Sequence, residues 1–460
     1  MISTPKLRDY QRNAVDTIRN KIASGKKRIL LVMPTGSGKT NLASEVIKLA
    51  TNKGKKSLFV AHKRELVYQA HTRLATFGID AGIIMPPHSA NGHSTHVASI
   101  QTLIRREHPL ADIVFLDECH HASSPSFVRV IENYKDSIII GLTATPFRMD
   151  GKPLGDIFEE VVTPVTIQEL IDMGFLVKPR YFGAKIDLAK IKVVRGDYDP
   201  SQLFESMDKK FLYDGVVEKF KEFGNGSTIV FCINIEHSRK TTDTFIAAGY
   251  KAAHIDFETN NEERKKLLDE FKKGNIQILS NCGIFSEGFD CPDINTVILN
   301  KATKSKGNYF QMIGRALRPI ENKTHCIVID HGNNFYEHGA VEWEQSVDCI
   351  KKRKGVGTVE EKEVQAKECN QCKSLLHIQT KTCPYCGYIF TENKIELINA
   401  EFSEIDVEKI KPKIVIPAHL RKRWLDMSNE ELEEYRLLKG YKPGWKFYVK
   451  KKQENNISKV

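Results

Sequence analysis

The sequence predicts an α/β protein: two parallel-sheet domains in tandem, then a small metal-binding knuckle and a helical tail. Three observations carry this. The apolar run Ile29-Leu-Leu-Val32 leads through Met33-Pro-Thr-Gly-Ser-Gly-Lys-Thr40 into a helical pattern, Asn41 to Ala50. A rhythm of short apolar strands and amphipathic helices fills the chain up to Pro146 and resumes near Phe211, the pattern of parallel sheets with covered faces. Four cysteines near the C-terminus form two Cys-x-x-Cys pairs. The expected boundaries are 1–178 for the first domain, 179–205 for a connector and 206–350 for the second domain. A charged linker at 351–367, the knuckle at 368–392 and a basic, aromatic segment at 393–460 follow.

Composition narrows the class. With 460 residues, 41% of them hydrophobic and 28% charged, the chain can bury more than one core. No apolar run approaches the roughly 18 residues of a membrane span. The first residues, Met-Ile-Ser-Thr-Pro-Lys, hold no apolar signal core, so a cytoplasmic location without a membrane partner is expected. A net charge of +11 favours a polyanionic partner such as nucleic acid. The scattered Cys119, Cys232, Cys282, Cys291, Cys326 and Cys349 suggest reduced thiols rather than a disulfide framework.

In chain order, Leu7-Arg-Asp-Tyr-Gln-Arg-Asn-Ala-Val15 opens a helix. The Gln11 amide can donate to and accept from an adenine edge, and Arg8 can stack on the base or support it. In the glycine turn that follows, Gly36 and Gly38 let successive N–H groups point inward at a helix N-terminus, which makes an anion nest. Met33 stands where the general phosphate-loop pattern has glycine, so the cradle rests on Thr35, Gly36, Ser37, Gly38, Lys39 and Thr40. Lys39 can reach the outer phosphates of a nucleotide, and the Thr40 hydroxyl can hold Mg²⁺.

Ser57 to Ala61 reads as the next strand. Lys63 and Arg64 at its end can grip a backbone phosphate, or simply start a solvated helix. Gln101 and Thr102 end another short strand, His96 to Ile100. The strand Ile113-Val-Phe-Leu116 ends in Asp117-Glu118-Cys119-His120. Asp117 can hold Mg²⁺, and Glu118 can orient and deprotonate an attacking water. Ile138 to Leu142 ends in Thr143-Ala-Thr145, whose hydroxyls can sense a γ-phosphate.

Taken in this order, Gln11, Gly36-Ser-Gly-Lys-Thr40, Asp117-Glu-Cys-His120 and Thr143-Ala-Thr145 resemble the first motor domain of superfamily 2 helicases and translocases, in the DEAH-like branch. The resemblance implies a RecA-like fold and ATP hydrolysis coupled to movement on nucleic acid. It also implies that His120, Thr143 and Thr145 couple hydrolysis to strand binding.

The second half returns to the same rhythm after a less patterned stretch holding Lys178-Pro-Arg180 and Gly196-Asp-Tyr-Asp-Pro200. Strands at Ser227–Cys232, Ala253–Asp256 and Ile276–Leu279, with a helix at Glu262–Lys273, predict a second parallel domain. Gly288 and Asp290 match a helicase motif that meets nucleotide and nucleic acid, with Asp290 near the ribose. Gln311-Met-Ile-Gly-Arg315-Ala-Leu-Arg318 also follows the helicase pattern, with Gln311 in a coupling role. A spacing of three puts Arg315 and Arg318 on one face of a helix. Their guanidinium forks could then reach ATP bound to the first lobe and neutralise transition-state charge. The sequence gives no role to Asp330 or to the asparagines of His331-Gly-Asn-Asn334, a phrase that resembles the end of the second lobe in RadD-type repair helicases.

In the tail, Cys369, Cys372, Cys383 and Cys386 have the spacing of a four-thiolate Zn²⁺ site, which would fold a segment too short for its own core. Ser428 and Glu431 fit a capping box. Gly440 to Tyr448 interleaves basic and aromatic residues, and Trp445 there can stack a base or pack on the motor. Two motor lobes and a cysteine knuckle together resemble RadD-like bacterial proteins and phage-encoded branch-migration helicases. The expectation is a DNA helicase or translocase using ATP, Mg²⁺ and Zn²⁺. Its DNA would be single-stranded, forked or a four-way junction, in recombination and repair, with a single-strand-binding protein or other repair proteins as partners. It would act in a bacterial cytoplasm, or a host's if phage-encoded. An RNA-remodelling ATPase and an ATP-gated DNA-binding adaptor remain open at this level.

Overall fold

The computed structural model describes residues 5–343, apart from 89–91, 107, 120, 121, 123, 146–153, 155, 156, 195, 208 and 286–293. It also describes 366–368, 375–377, 388, 403–405, 407, 427–439 and 450. His120, Gly288, Asp290, Trp445 and the four knuckle cysteines lie outside the described residues.

In the first lobe, α1 (Asp9–Ala23) buries Tyr10, Gln11, Ala14, Val15 and Ile18, a stripe at helical spacing. Then come β1 (Arg28–Val32), α2 (Lys39–Thr51), β2 (Ser57–Ala61), α3 (Arg64–Thr76), β3 (Ala81–Ile84), β4 (Thr95–Ser99) and α4 (Ile100–Leu103). The lobe continues with β5 (Ile113–Leu116), α5 (Pro125–Asn133), β6 (Ile138–Thr143), β7 (Glu160–Val162) and α6 (Ile167–Asp172). Its strands form one parallel sheet in the order β3-β4-β2-β5-β6-β1-β7. Both faces are covered, so the strands are apolar on both sides. Ile29, Leu31, Phe59 and Phe115 face one core while Leu30, Val32, Leu58 and Val114 face the other.

The second lobe holds β8 (Lys178–Gly183), β9 (Val193–Val194), β10 (Asp197–Tyr198), α7 (Pro200–Ser206), α8 (Lys209–Phe223), β11 (Thr228–Cys232) and α9 (Ile235–Ala247). It goes on through β12 (Ala252–Ile255), α10 (Asn261–Lys272), β13 (Ile278–Asn281), β14 (Thr296–Asn300), α11 (Lys306–Gly314), β15 (His325–Asp330) and α12 (Asn334–His338). Its sheet runs β12-β13-β11-β14-β15-β8 and is parallel throughout. Each of these strands takes the place of its counterpart in the first lobe, so the same winding occurs twice.

The expected connector, 179–205, contains most of β8, which is the first strand of the second sheet. Pro179 made this stretch read as a linker, because proline cannot donate to a sheet ladder. It is tolerated here because β8 ends the parallel array; among the described residues its outer flank meets β18 at Phe182 and Gly183 and accepts from Ile405 N at Tyr181 O. Residues Ile186 to Leu212 then build a small apolar cluster against Ile233 and Ala302.

Beyond the lobes, β16 (Ala366–Glu368) and β17 (Leu375–His377) pair antiparallel. The two-residue β18 (Ser403–Glu404) adds antiparallel to β8, where Arg180 Nε and Nη2 donate to the Glu404 carboxylate at 2.7 and 2.8 Å. α13 (Asn429–Lys439) starts with the expected capping box between Ser428 and Glu431. Among the described cysteines, Cys119, Cys232 and Cys326 are buried free thiols and Cys282 is half-buried. No helix among the described residues is long and apolar enough to cross a membrane.

Burial holds His331, at the end of β15, neutral down to about pH 3, while an exposed imidazole protonates near 6.5. Between those values the unfolded chain binds the extra proton. Its contribution to stability is therefore complete above about 6.5 and drains away as pH falls toward 3. His331→Asn removes this titration. The melting temperature of the wild type minus that of the variant should fall between about pH 7 and about pH 5. A constant difference across that window would contradict the buried neutral imidazole.

Candidate nucleotide site between the lobes

The phosphate loop hangs from the end of β1. Met33 N donates to Thr143 O at 3.0 Å, which fastens it to β6. Gly36 and Gly38 both have φ of +83°, the left-handed region that glycine occupies without cost, and Gly38 caps α2. Ser37 is fully buried, its hydroxyl donating to Pro34 O at 2.6 Å. Tyr10 Oη and Gln11 Nε2 both donate to Ser37 O, at 2.7 and 2.9 Å. Gln11 Oε1 accepts from Arg8 N at 2.9 Å, so the amide is a strut between α1 and the loop. A Cβ on Gly38 would lie 2.4 Å from Gln11 Nε2. The Arg8 guanidinium stacks 3.8 Å above the centre of the Phe175 ring.

Lys39 opens α2 and its ammonium donates to Met33 O at 3.0 Å. Burial pulls its pKa below the ordinary value, opposed by Glu118 and Asp117 and assisted by Arg315 and Arg318. One β-strand, β6, separates β1 from β5, so the loop and the carboxylates stand about 10 Å apart along the same rim. Asp117 Oδ1 accepts from Glu118 N at 3.0 Å. The Asp117 carboxyl is pushed up to about 7, by burial first and by Glu118 next, against the pull of Lys39. Glu118 has φ of +52°, a strained geometry costing about 1–2 kcal/mol in a residue other than glycine. The Thr40 hydroxyl and the Asp117 carboxylate are hard oxygen donors of the kind Mg²⁺ takes. Thr143 Oγ1 donates to Thr145 O at 2.8 Å and accepts from Thr145 N at 3.2 Å, which folds the end of β6 into a tight turn.

The second lobe closes over this rim through α11. Gly307, Gln311 and Gly314 fall at i, i+4 and i+7, one helical face. A Cβ on Gly307 would lie 3.2 Å from Thr145 Oγ1, and one on Gly314 would lie 3.0 Å from Thr35 Cβ. Gln311 therefore lies in the seam between the lobes. Its Nε2 and the Thr145 Oγ1 are buried and have no hydrogen-bond partner among the described residues. Buried polar atoms left this way cost about 1–3 kcal/mol each, and a polar ligand entering the seam would satisfy them.

Arg315 and Arg318 reach the site, but not from one helical face as the spacing suggested. α11 ends at Gly314, and Arg315 is its cap. Pro319 follows Arg318 and disfavours helical backbone at that residue. Ala316 N instead donates to Ile313 O at 2.9 Å, closing a tight final turn. Arg315 Nε donates to Phe285 O at 3.1 Å. The Arg318 side chain passes the loop, its Cγ 3.7 Å from where a Cβ on Gly36 would stand. Val177 N donates to Leu317 O at 2.8 Å, tying the lobe crossing to the same turn.

Sequence reasoning missed the clasp that aims α11. The buried Asp330 accepts from Gly332 N, Asn334 Nδ2 and Phe335 N at 2.9, 2.8 and 2.7 Å. Asn334 Nδ2 also donates to Lys301 O, and its Oδ1 accepts from Thr303 N. Asp197 accepts from Thr303 Oγ1 and Lys304 N at 2.7 and 2.6 Å. Together they fix the segment that leads into α11. The local signal was an Asp and two Asn at a strand end, residues that bond nearby backbone.

Lys63, Arg64, Gln101 and Thr102 gather at the carboxyl ends of the neighbouring strands β2 and β4. Arg64 is exposed, and its Nη2 donates to Tyr68 Oη at 3.2 Å. Gln101 Nε2 donates to His62 O at 2.8 Å and so braces the two strand ends.

Residues 4–148 match the family described as the type III restriction enzyme res subunit, and 211–319 match the helicase conserved C-terminal domain. A 51.5 kDa protein of a Lactococcus phage is 31% identical over 407 residues, covering 86% of this chain and 87% of that protein. The Saccharomyces cerevisiae protein described as an ATP-dependent helicase, IRC3, is 33% identical over 355 residues, 71% of this chain and 52% of that one. The DNA 3'-5' translocase XPB2 of Sulfurisphaera tokodaii is 24% identical over 375 residues, 70% and 81%.

Gly314→Val should wedge the seam at its 3.0 Å contact with Thr35 without touching either lobe's core. Turnover of ATP should fall about a hundredfold while thermal unfolding stays close to wild type. Wild-type turnover would show that the seam is not where the site closes.

Proposed function

Since this chain belongs to the superfamily 2 helicases and hydrolyses ATP, we propose that it spends the hydrolysis on movement along DNA and remodels branched or forked DNA in recombination and repair. The observation that carries this reading is the approach of Arg318 and α11 to the phosphate loop across the lobe seam. The loop N–H groups and Lys39 bind the phosphates of ATP. Thr40 and Asp117 would hold Mg²⁺, which supplies positive charge to the phosphate oxygens. Glu118 orients a water and takes its proton, while Arg315 and Arg318 stabilise the charge that develops. The seam closes on the γ-phosphate and loosens once that group leaves. Thr143, Thr145 and Gln311, beside that group, pass its presence to the strand-binding rim.

DNA is favoured over RNA by the DNA translocase among the relatives and by the restriction-enzyme family matched by the first lobe. Lys63, Arg64, Gln101 and Thr102 would contact phosphate and sugar, giving low sequence specificity. The tail would hold Zn²⁺ through Cys369, Cys372, Cys383 and Cys386, a soft thiolate set that suits this ion. Support for that comes from the pairing of β16 and β17, which flank Cys369 and Cys372 in sequence.

Glu118→Gln should reduce ATP turnover to background while ATP still binds; surviving turnover would remove Glu118 from the base role. Changing Cys383 and Cys386 to Ser should release one zinc per chain by metal analysis, and unchanged metal content would refute the knuckle. The reading as a whole is tested by ATPase rates at fixed salt with no nucleic acid, single-stranded DNA, duplex, a four-way junction and matched RNA. Strongest stimulation by the junction supports it. Equal or stronger stimulation by RNA overturns it.

A further inference from the structure

The loop after β12 holds Phe257, a residue 74% exposed. This exposure is built, not incidental. Asp256, 1% exposed, anchors the loop from beneath. Its Oδ1 accepts from Glu258 N at 2.8 Å, Thr259 N at 3.0 Å and Thr259 Oγ1 at 3.2 Å. Its Oδ2 meets His254 Nε2 at 2.8 Å and Arg239 Nη2 at 3.4 Å. Arg264 Nη2 donates to the carbonyls of Asp256 and Thr259 at 3.1 and 3.3 Å. A large aromatic side chain is thus carried into solvent on a turn whose backbone is cross-braced.

Its place in the fold gives the turn a purpose. Ile255 pairs with Asn281, so Phe257 stands one strand over from the loop that begins at Cys282 and runs to Phe285, the acceptor of Arg315. β12 occupies in the second sheet the place of β3 in the first, so the turn lies on the second lobe's counterpart of the rim that carries Arg64 and Gln101. The surroundings are polar. Glu258 and Asn260 are exposed, and the Arg239 guanidinium bridges Asp256 and Glu258. A protein-docking surface needs a contiguous apolar patch, whereas one exposed ring on a braced turn in a polar setting suits the face of a nucleobase.

We propose that Phe257 is a base-stacking contact on the second lobe for an unpaired segment of DNA. The proposal rests on the DNA-motor reading above. It adds that the second lobe grips bases as well as phosphates, so a strand keeps its register while the lobes part. Stacking of this kind is indifferent to sequence, because every base presents a π face.

The test uses the full chain and two strands of equal length, oligothymidylate and the same backbone carrying abasic sites, with binding read by fluorescence anisotropy across a salt series. Phe257→Ala should weaken oligothymidylate binding about tenfold and leave the abasic strand unchanged. Its salt slope should match wild type, because no phosphate contact is removed. Phe257→Trp should bind oligothymidylate like the wild type, and ATP turnover without DNA should be unchanged in both. Wild-type affinity of Phe257→Ala for oligothymidylate overturns the proposal, as does an equal loss on both strands. A change in oligomeric mass in place of a change in DNA affinity reassigns the ring to protein contact and also overturns it. A wild-type chain that binds neither strand refutes the DNA reading itself, a result distinct from a failure of stacking alone.

Discussion

Lys39, Asp117 and Glu118 from one lobe share a single charge neighbourhood with Arg315 and Arg318 from the other, and the remaining structure is arranged to maintain it. A buried ammonium is costly alone, and its pKa is driven down accordingly. The two carboxylates offset part of that cost. Burial in turn drives the Asp117 carboxyl up to about 7, which thins the negative charge further. With two guanidinium groups added, the neighbourhood is short of negative charge, and a polyphosphate would supply what is missing. Thr145 Oγ1 and Gln311 Nε2 in the same seam, buried and without a partner among the described residues, make the corresponding demand for hydrogen bonds.

The duplicated fold explains why the site forms between lobes rather than within each. β1 and β8 hold the same position in their sheets, but they end differently. β1 runs into the Gly36-Ser-Gly-Lys-Thr40 cradle, whereas β8 runs into Ala184-Lys-Ile186, which cannot curl into a nest. The second lobe therefore contributes arginines and a glycine-faced helix to a nucleotide cradle it does not possess. The two small residues on that face, Gly307 and Gly314, are what allow so close an approach, and the Asp330 clasp sets its direction.

Much of this was legible from the chain because the governing physics is local. The loop at Thr35 to Thr40, the acids at 117 and 118, and the buried strands each follow from a handful of adjacent residues. The rest depended on partners distant in sequence. β8 was hidden by Pro179, whose tolerance depends on the strand's place at the end of the parallel array. Arg315 and Arg318 were expected near the loop, but their presentation was misread, because Pro319 ends helical backbone before Arg318. Asp330 and Asn334 showed no pattern that named Lys301 and Thr303 as their partners. Phe257 carried no sequence signal, because its exposure depends on how Asp256 braces the turn through Glu258, Thr259 and Arg239.

The central claim, that the second lobe completes the nucleotide site, is tested most directly by Arg318→Ala with turnover and ATP affinity measured separately. Arg318 passes the phosphate loop and is only half-buried, so the substitution leaves both cores intact. The account predicts turnover at saturating ATP lower by about a thousandfold, with equilibrium ATP binding within about threefold of wild type. Turnover within a few-fold of wild type would contradict it, because hydrolysis would then proceed without the charge that crosses the seam.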